Sequence, residues 1–365
     1  MSLADLVNPH IRELQPYQPG KPVEELEREL GIRGSIKLAS NEAPLGPSPL
    51  ALEALEQASG DLNRYPEDDA PYLKRDLAKA LEVSEEQILC GSGSDELLDL
   101  LGRCFLGPDD EAVFAWPSFA MYPIVAKSQG ARAVQVPLDG DLRTDVDRLA
   151  EAVGERTRIL FLSNPNNPTG TSIGRDDFER LLRAVPERVV IVSDEAYHEY
   201  VRREDFPLSL GLISRRPTLV VLRTFSKVYG LAGLRVGYGV GDPELISLVA
   251  RARHPFNVNT LAQAAARGAL SDPGHVGKVR DLTHRGLERL ESGLRELGLR
   301  FAASDANFLL VEVGDGAGIY DRLLRRGVIT RPMAGFGLQR HIRVTVGLPE
   351  ENQRFLDTLA QELSR

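Results

Sequence analysis

Cysteine is nearly absent from this 365-residue sequence. Only Cys90 and Cys104 occur, one in an apolar strand-like run and the other on an apolar helix face. That leaves no disulfide framework and no zinc spacing, and it fits a reducing compartment, so no metal and a cytoplasmic location are expected. Long hydrophobic runs are lacking as well: nowhere do eighteen apolar residues follow one another. The opening MSLADLVNPHIREL has no cationic segment leading into an apolar one, so neither a membrane span nor a signal peptide is expected. Blocks of positive charge are missing. The 44 Lys and Arg are scattered among 53 Asp and Glu, giving a net charge of −9, which argues against nucleic acid as a partner. Repeats and low-complexity tracts are absent too, and the length suggests two domains.

What the sequence does have is alternation. From about residue 85 to 250, short β-branched runs are followed by turns and then by helical periodicity, the pattern of βα units on a mostly parallel sheet. The runs are QILC at 87–90, EAVFAW at 111–116, RILFLS at 158–163, RVVIVS at 188–193 and TLVVLR at 218–223. Their continuous apolar character predicts strands buried on both faces. Leu97, Leu98, Leu101, Cys104 and Phe105 recur at the spacing of one helix face, and DDFERLLRAV at 176–185 predicts another helix closed by Pro186. Beyond 250 the character changes to charged amphipathic helices at about 276–298 and 350–364, with strands at 307–313 and 341–347. The expected fold class is therefore α/β, a mostly parallel sheet flanked by helices over 36–250. A smaller α+β domain is expected from 1–35, which carries a helix near 22–30, together with 251–365.

Ligands in open α/β sheets bind beyond the carboxyl ends of the strands, and here each strand end carries polar chemistry. QILC runs into GSGSDE, where Gly91 and Gly93 permit a tight turn and Ser94 or Asp95 can cap a helix; this is either an ordinary strand-to-helix turn or an anion cup. RILFLS is followed by NPNNPTG, a rigid loop that offers Asn167 as a donor. RVVIVS leads into DEAY, where Asp194 needs a cation if it is buried, and Tyr197 follows one turn later. TLVVLR leads into TFSK, which places Lys227 at a strand end beside Thr224 and Ser226, with Arg235 eight residues on. One cofactor uses all of these together. Pyridoxal phosphate requires a lysine amine for its aldehyde, an acid for its pyridine nitrogen, donors for its ring oxygen, and a helix start with a cation for its phosphate.

These motifs, SNPNNPTG, SDEAY and TFSKVYGLAGLRVGY, resemble the class I/II aminotransferases of fold type I. LASNEAPLGPSP at 38–49, LNRYPED at 62–68 and GVITRPMAGFGLQRHIRVTVG at 327–347 resemble, more narrowly, the histidinol-phosphate aminotransferases. The resemblance covers nearly the whole chain. It implies that Lys227 carries the cofactor and moves the proton, that Asp194 faces the pyridine nitrogen, and that Asn167 and Tyr197 serve the ring oxygen. It further implies that Phe119 stacks on the ring and that Ser94, Asp95, Thr224, Ser226 and Arg235 hold the phosphate. Tyr65 matches a tyrosine that reaches the phosphate of the neighbouring subunit, which implies a homodimer with shared active sites. Arg331 and Arg343 match the substrate's anion site, although alternation along HIRVTV could send Arg343 to solvent. Tyr17 and Asn41 match positions that close over the site. The implied reaction exchanges an amino group between histidinol phosphate and 2-oxoglutarate, giving imidazole acetol phosphate and glutamate. An aromatic aminotransferase, a decarboxylase of the same fold and a ligand sensor without catalysis are the alternatives.

Overall fold

The structure, a computed structural model, describes residues 2–364 apart from 13, 17 and 18. Its larger sheet has seven strands: β1 (Ile88–Gly91), β2 (Glu111–Trp116), β3 (Arg132–Pro137), β4 (Thr157–Ser163), β5 (Val190–Asp194), β6 (Leu219–Thr224) and β7 (Gly237–Val240). Their order is β1-β7-β6-β5-β4-β2-β3. The pairs from β6 through β3 are all parallel, and β7 runs antiparallel to both of its neighbours.

Side chains alternate across a strand, and both faces of this sheet are covered. Val113, Leu160, Leu162, Ile191 and Val221 pack in one core with helices Arg175–Ala184, Pro71–Leu81 and Thr260–Leu270. Phe114, Ile159, Phe161, Val192 and Leu222 pack on the opposite face with helices Ser94–Phe105, Met121–Ser128 and Pro243–Ala250. The expected parallel α/β layer is therefore present, together with two strands that were not foreseen. β3 is a half-exposed edge, so it lacks a continuous apolar run. β7 reads GYGV, and two glycines hide its strand character.

The second sheet is antiparallel, in the order β10 (Arg331–Pro332), β11 (His341–Thr345), β9 (Phe308–Glu312), β8 (Arg300–Phe301). Leu287, Leu290, Leu294, Ile319, Leu323, Phe355 and Leu359, from helices Pro273–Glu296, Gly316–Arg325 and Pro349–Leu363, back it. Packing crosses both expected bounds, 35/36 and 250/251. Ile36–Lys37 pairs in parallel with Val328–Ile329, and Leu38 belongs to the smaller core. Helix Thr260–Leu270, conversely, packs its alanine face on helices Pro49–Ala58 and Pro71–Leu81 of the larger core. An alanine-rich helix with no strand beside it gives the sequence no reason to assign it to one core or the other. No helix among the described residues is long and apolar enough to cross a membrane.

Candidate active site

β2 and β4 are neighbours whose onward connections run to opposite sides, so a crevice opens at their carboxyl ends. The cleft there has a volume of about 250 Å³ and is lined from every strand end singled out above. Beyond β1, the chain turns at Gly93, whose φ of 80° suits glycine, and enters helix Ser94–Phe105. A Cβ at Gly93 would lie 2.6 Å from Arg235 Nη2, so glycine is what lets the guanidinium close on the helix start. Arg235 itself has a φ of 56° and donates to Ser226 Oγ at 3.4 Å and Asp95 Oδ2 at 3.3 Å, while Ser226 N donates to Thr224 Oγ1 at 3.1 Å. Free helix amides, two hydroxyls and a guanidinium converge on one spot. That set suits an anion with several oxygens.

Deeper in the cleft sits Asp194, 4% exposed. Tyr122 Oη donates to its Oδ2 at 2.8 Å, while Oδ1 is buried with no hydrogen-bond partner among the described residues. Burial pushes its pKa up to about 6, against the opposing hydrogen bond from Tyr122. A buried carboxylate with an open oxygen is suited to a cationic N–H on the ligand. Glu195 comes next in sequence and points to the other face, fully buried, where Arg223 Nε and Nη2 donate to its Oε2 at 3.2 and 2.9 Å. The pair ties the carboxyl ends of β5 and β6 together behind the cleft.

Lys227 follows β6. Its Nζ donates to Ser40 O at 3.3 Å and stands 5.7 Å from the centre of the Tyr197 ring. Desolvation, with the charge of Arg343 adding to it, lowers its pKa to about 8, so near that pH a large share of the amine is neutral and nucleophilic. Asn41 Nδ2 donates to Tyr197 Oη at 2.9 Å, and Asn41 N is held by Thr345 Oγ1 at 3.0 Å. The NPNNPTG loop is braced by Asn166, which accepts from Ser118 Oγ at 2.7 Å and donates to Thr169 Oγ1 at 2.9 Å. The brace leaves Asn167 free to line the cleft.

The smaller domain supplies the opposite wall. Strand register sets Arg331 directly across from Arg343, and both residues line the cleft. Arg343 is buried, donates to Ala39 O at 2.7 Å and to Asn167 Oδ1, and rests 5.0 Å from the centre of the Phe308 ring. It does not turn to solvent. Two arginines on one wall of the cleft suit an anion.

The family of class I and II aminotransferases matches residues 33–359 of this chain. The chain belongs to that family. Among its relatives, histidinol-phosphate aminotransferase 1 of Nitrosococcus oceani is 48% identical over 350 residues, 96% of this chain and 94% of that protein. The histidinol-phosphate aminotransferase of Moorella thermoacetica is 46% identical over 356 residues, 97% of this chain and 92% of that protein. Among solved structures, histidinol-phosphate aminotransferase from Sinorhizobium meliloti in complex with pyridoxal-5'-phosphate superposes with a TM-score of 0.88 at 32% identity. That match covers 98% of this chain and 96% of the other.

In this aminotransferase the cleft gathers Ser94, Asp95, Phe119, Asn167, Asp194, Tyr197, Thr224, Ser226, Lys227 and Arg235 with Asn41, Arg331 and Arg343. Phe119 is half-buried and meets the edge of Tyr122 at 5.7 Å. Tyr65 is elsewhere: 82% exposed, it stacks on Phe256 with centroids 4.7 Å apart. Tyr17 lies outside the described residues. Tyr122, Ser163, Ser40 and Glu42 also face or support the aminotransferase cleft and were not singled out from the sequence. The available signal for Tyr122 was its place one turn after Phe119 in WPSFAMYP.

Proposed function

We propose that the protein is a pyridoxal-phosphate-dependent histidinol-phosphate aminotransferase of histidine biosynthesis. It converts L-histidinol phosphate and 2-oxoglutarate to imidazole acetol phosphate and L-glutamate. What supports this reading most is that one cleft is lined by Lys227 together with two groups suited to anions, the helix start with Arg235 and the cross-strand Arg331 and Arg343. A substrate with a phosphate in place of an α-carboxylate suits the second end, and relatives that share up to 48% of the sequence carry the same name. The cleft fits the cofactor on two further counts. The open Oδ1 of Asp194 suits a protonated pyridine nitrogen, and Gly93 leaves the cup open to its phosphate.

When bound, the cofactor supplies an aldehyde that takes the amino group and a ring that accepts an electron pair. Lys227 would hold the cofactor through its amine and would carry the proton that leaves the substrate α-carbon. Asp194, kept in place by Tyr122, holds the proton on the pyridine nitrogen through its negative charge. Asn167 and Tyr197 would serve the ring oxygen, Phe119 would stack on the ring, and Ser94, Asp95, Thr224, Ser226 and Arg235 would hold the phosphate. Arg331 and Arg343 bind the phosphate ester of one substrate and the carboxylate of glutamate in turn, with Asn41 beside them. The working unit is a cytoplasmic homodimer in which Tyr65 reaches the phosphate of the neighbouring site.

The test is a single-turnover half-reaction: the absorbance of bound cofactor is followed after adding histidinol phosphate, phenylalanine or tyrosine in separate runs. The rate per concentration is expected to be far larger with histidinol phosphate. Preference for the aromatic acids would move the protein to aromatic amino acid transamination with the same catalytic groups. Arg343→Ala is expected to lower kcat/KM by about 10² to 10³-fold for both histidinol phosphate and glutamate, because the substrate's anion loses a buried guanidinium partner. If neither substrate is affected, Arg343 is not part of the anion site.

A further inference from the structure

Tyr65 is exposed, yet its loop is fastened with unusual thoroughness. Asp68 Oδ1 accepts from Phe256 N at 2.8 Å, which fixes the residue stacked on Tyr65 in a left-handed conformation with φ of 57°. Arg253 grips the same loop, donating to Asp68 Oδ2 and to Asp68 O, both at 2.9 Å. Arg253 also donates to Asn257 Oδ1 at 3.1 Å. Asn257 Nδ2 then donates to Glu96 Oε2 at 2.7 Å and to Cys90 O at 3.2 Å. That same Glu96 oxygen accepts from Ser92 N at 2.5 Å, inside the glycine turn that opens the cup.

The contacts form one unbroken chain from the cup of a subunit to the aromatic pair it presents outward. A surface loop needs no such anchor for its own sake, since two exposed rings stacked on each other gain little from being held at one angle. We infer that Asn257 is a positioning residue: by joining Arg253 to Glu96, it sets the Tyr65–Phe256 pair at a fixed distance from the subunit's own phosphate cup. With Tyr65 reaching into the neighbouring site, the chain joins the two cups of the dimer mechanically. The inference rests on the proposed role of Tyr65.

The experiment measures the rate at which cofactor leaves the holoenzyme into a trapping protein, for wild type, Asn257→Ala, Tyr65→Phe and the double variant. Each single change is expected to speed release about tenfold, the size of losing one hydrogen bond to a charged group. The double variant is expected to release no faster than either single one, because both changes break the same contact. Effects that multiply to about a hundredfold, or no effect of Asn257→Ala, would overturn the inference. A weakened fold alone would not produce the lack of multiplication. Asp68→Asn, which keeps the shape and the acceptor for Phe256 N but removes the charge facing Arg253, gives a second reading: faster release supports the chain, and unchanged release breaks it. If Tyr65→Phe by itself changes nothing, the shared-site role of Tyr65 fails and the inference with it, while transamination is judged separately by the half-reaction.

Discussion

Replacing Lys227 with alanine is expected to lower turnover by about 10⁴-fold or more, because one amine serves both as the covalent anchor and as the proton carrier. Two readouts separate those roles. Borohydride reduction followed by peptide mass analysis should find the cofactor on the peptide containing Lys227 in the wild type and nowhere in the variant. An added small amine should restore part of the proton transfer but not the anchoring. The depressed pKa has its own consequence in the cofactor-free protein. Because the folded lysine releases its proton near pH 8 and the unfolded one near 10.4, the unfolded state holds more protons between those values. Stability from this group therefore rises with pH across that window, and Lys227→Met should flatten the rise. Normal turnover by the alanine variant would end the assignment.

The second large effect is expected at Asp194. Asparagine there keeps the volume and can still accept from Tyr122, but it brings no charge to the pyridine nitrogen. A loss of about 10³-fold in the half-reaction rate is expected, the scale of removing an electrostatic partner from a dry site. The pH dependence has a definite sign. Burial holds the free carboxyl near pKa 6, so below that pH it must shed a proton before it can face a cationic nitrogen. Cofactor affinity should fall as pH drops through 6 in the wild type and stay flat there in Asp194→Asn. A variant within tenfold of wild type, with the pH dependence intact, would show that the charge resides elsewhere.

Much of the cleft was legible because its groups sit at strand ends, where a break in an apolar run is visible in one dimension. Lys227, Asp194 and Asn167 each follow such a run directly, and the cleft receives all three. Tyr122 was not legible: it reaches Asp194 from a helix 72 positions away, and no local pattern marks that meeting. Glu195 illustrates the same limit. DEAY shows two acids side by side, but only the alternation of a buried strand sends one into the cleft and the other to Arg223 behind it. Arg343 shows how a local pattern can mislead. An arginine inside HIRVTV fits an exposed strand face as well as a buried one, and what decides is the pair of acceptors, Ala39 O and Asn167 Oδ1, both distant in sequence. Glycines were the other blind spot. β7 reads as loop because its residues are small, yet a Cβ at Gly237 would lie 2.6 Å from Ser94 N, so the strand is bare where the helix start presses on it.

The placement of β7 also orders events during synthesis. β1 is an edge strand whose sheet partner is β7, with Ile88 paired to Val240, so the strand that launches the phosphate-holding helix must wait unpaired until residue 240 has left the ribosome. The wait of Ile36 for Val328 is longer still. A growing chain can complete the five parallel strands while both of its early segments remain unpaired, and that interval is when this protein most needs shielding from its neighbours.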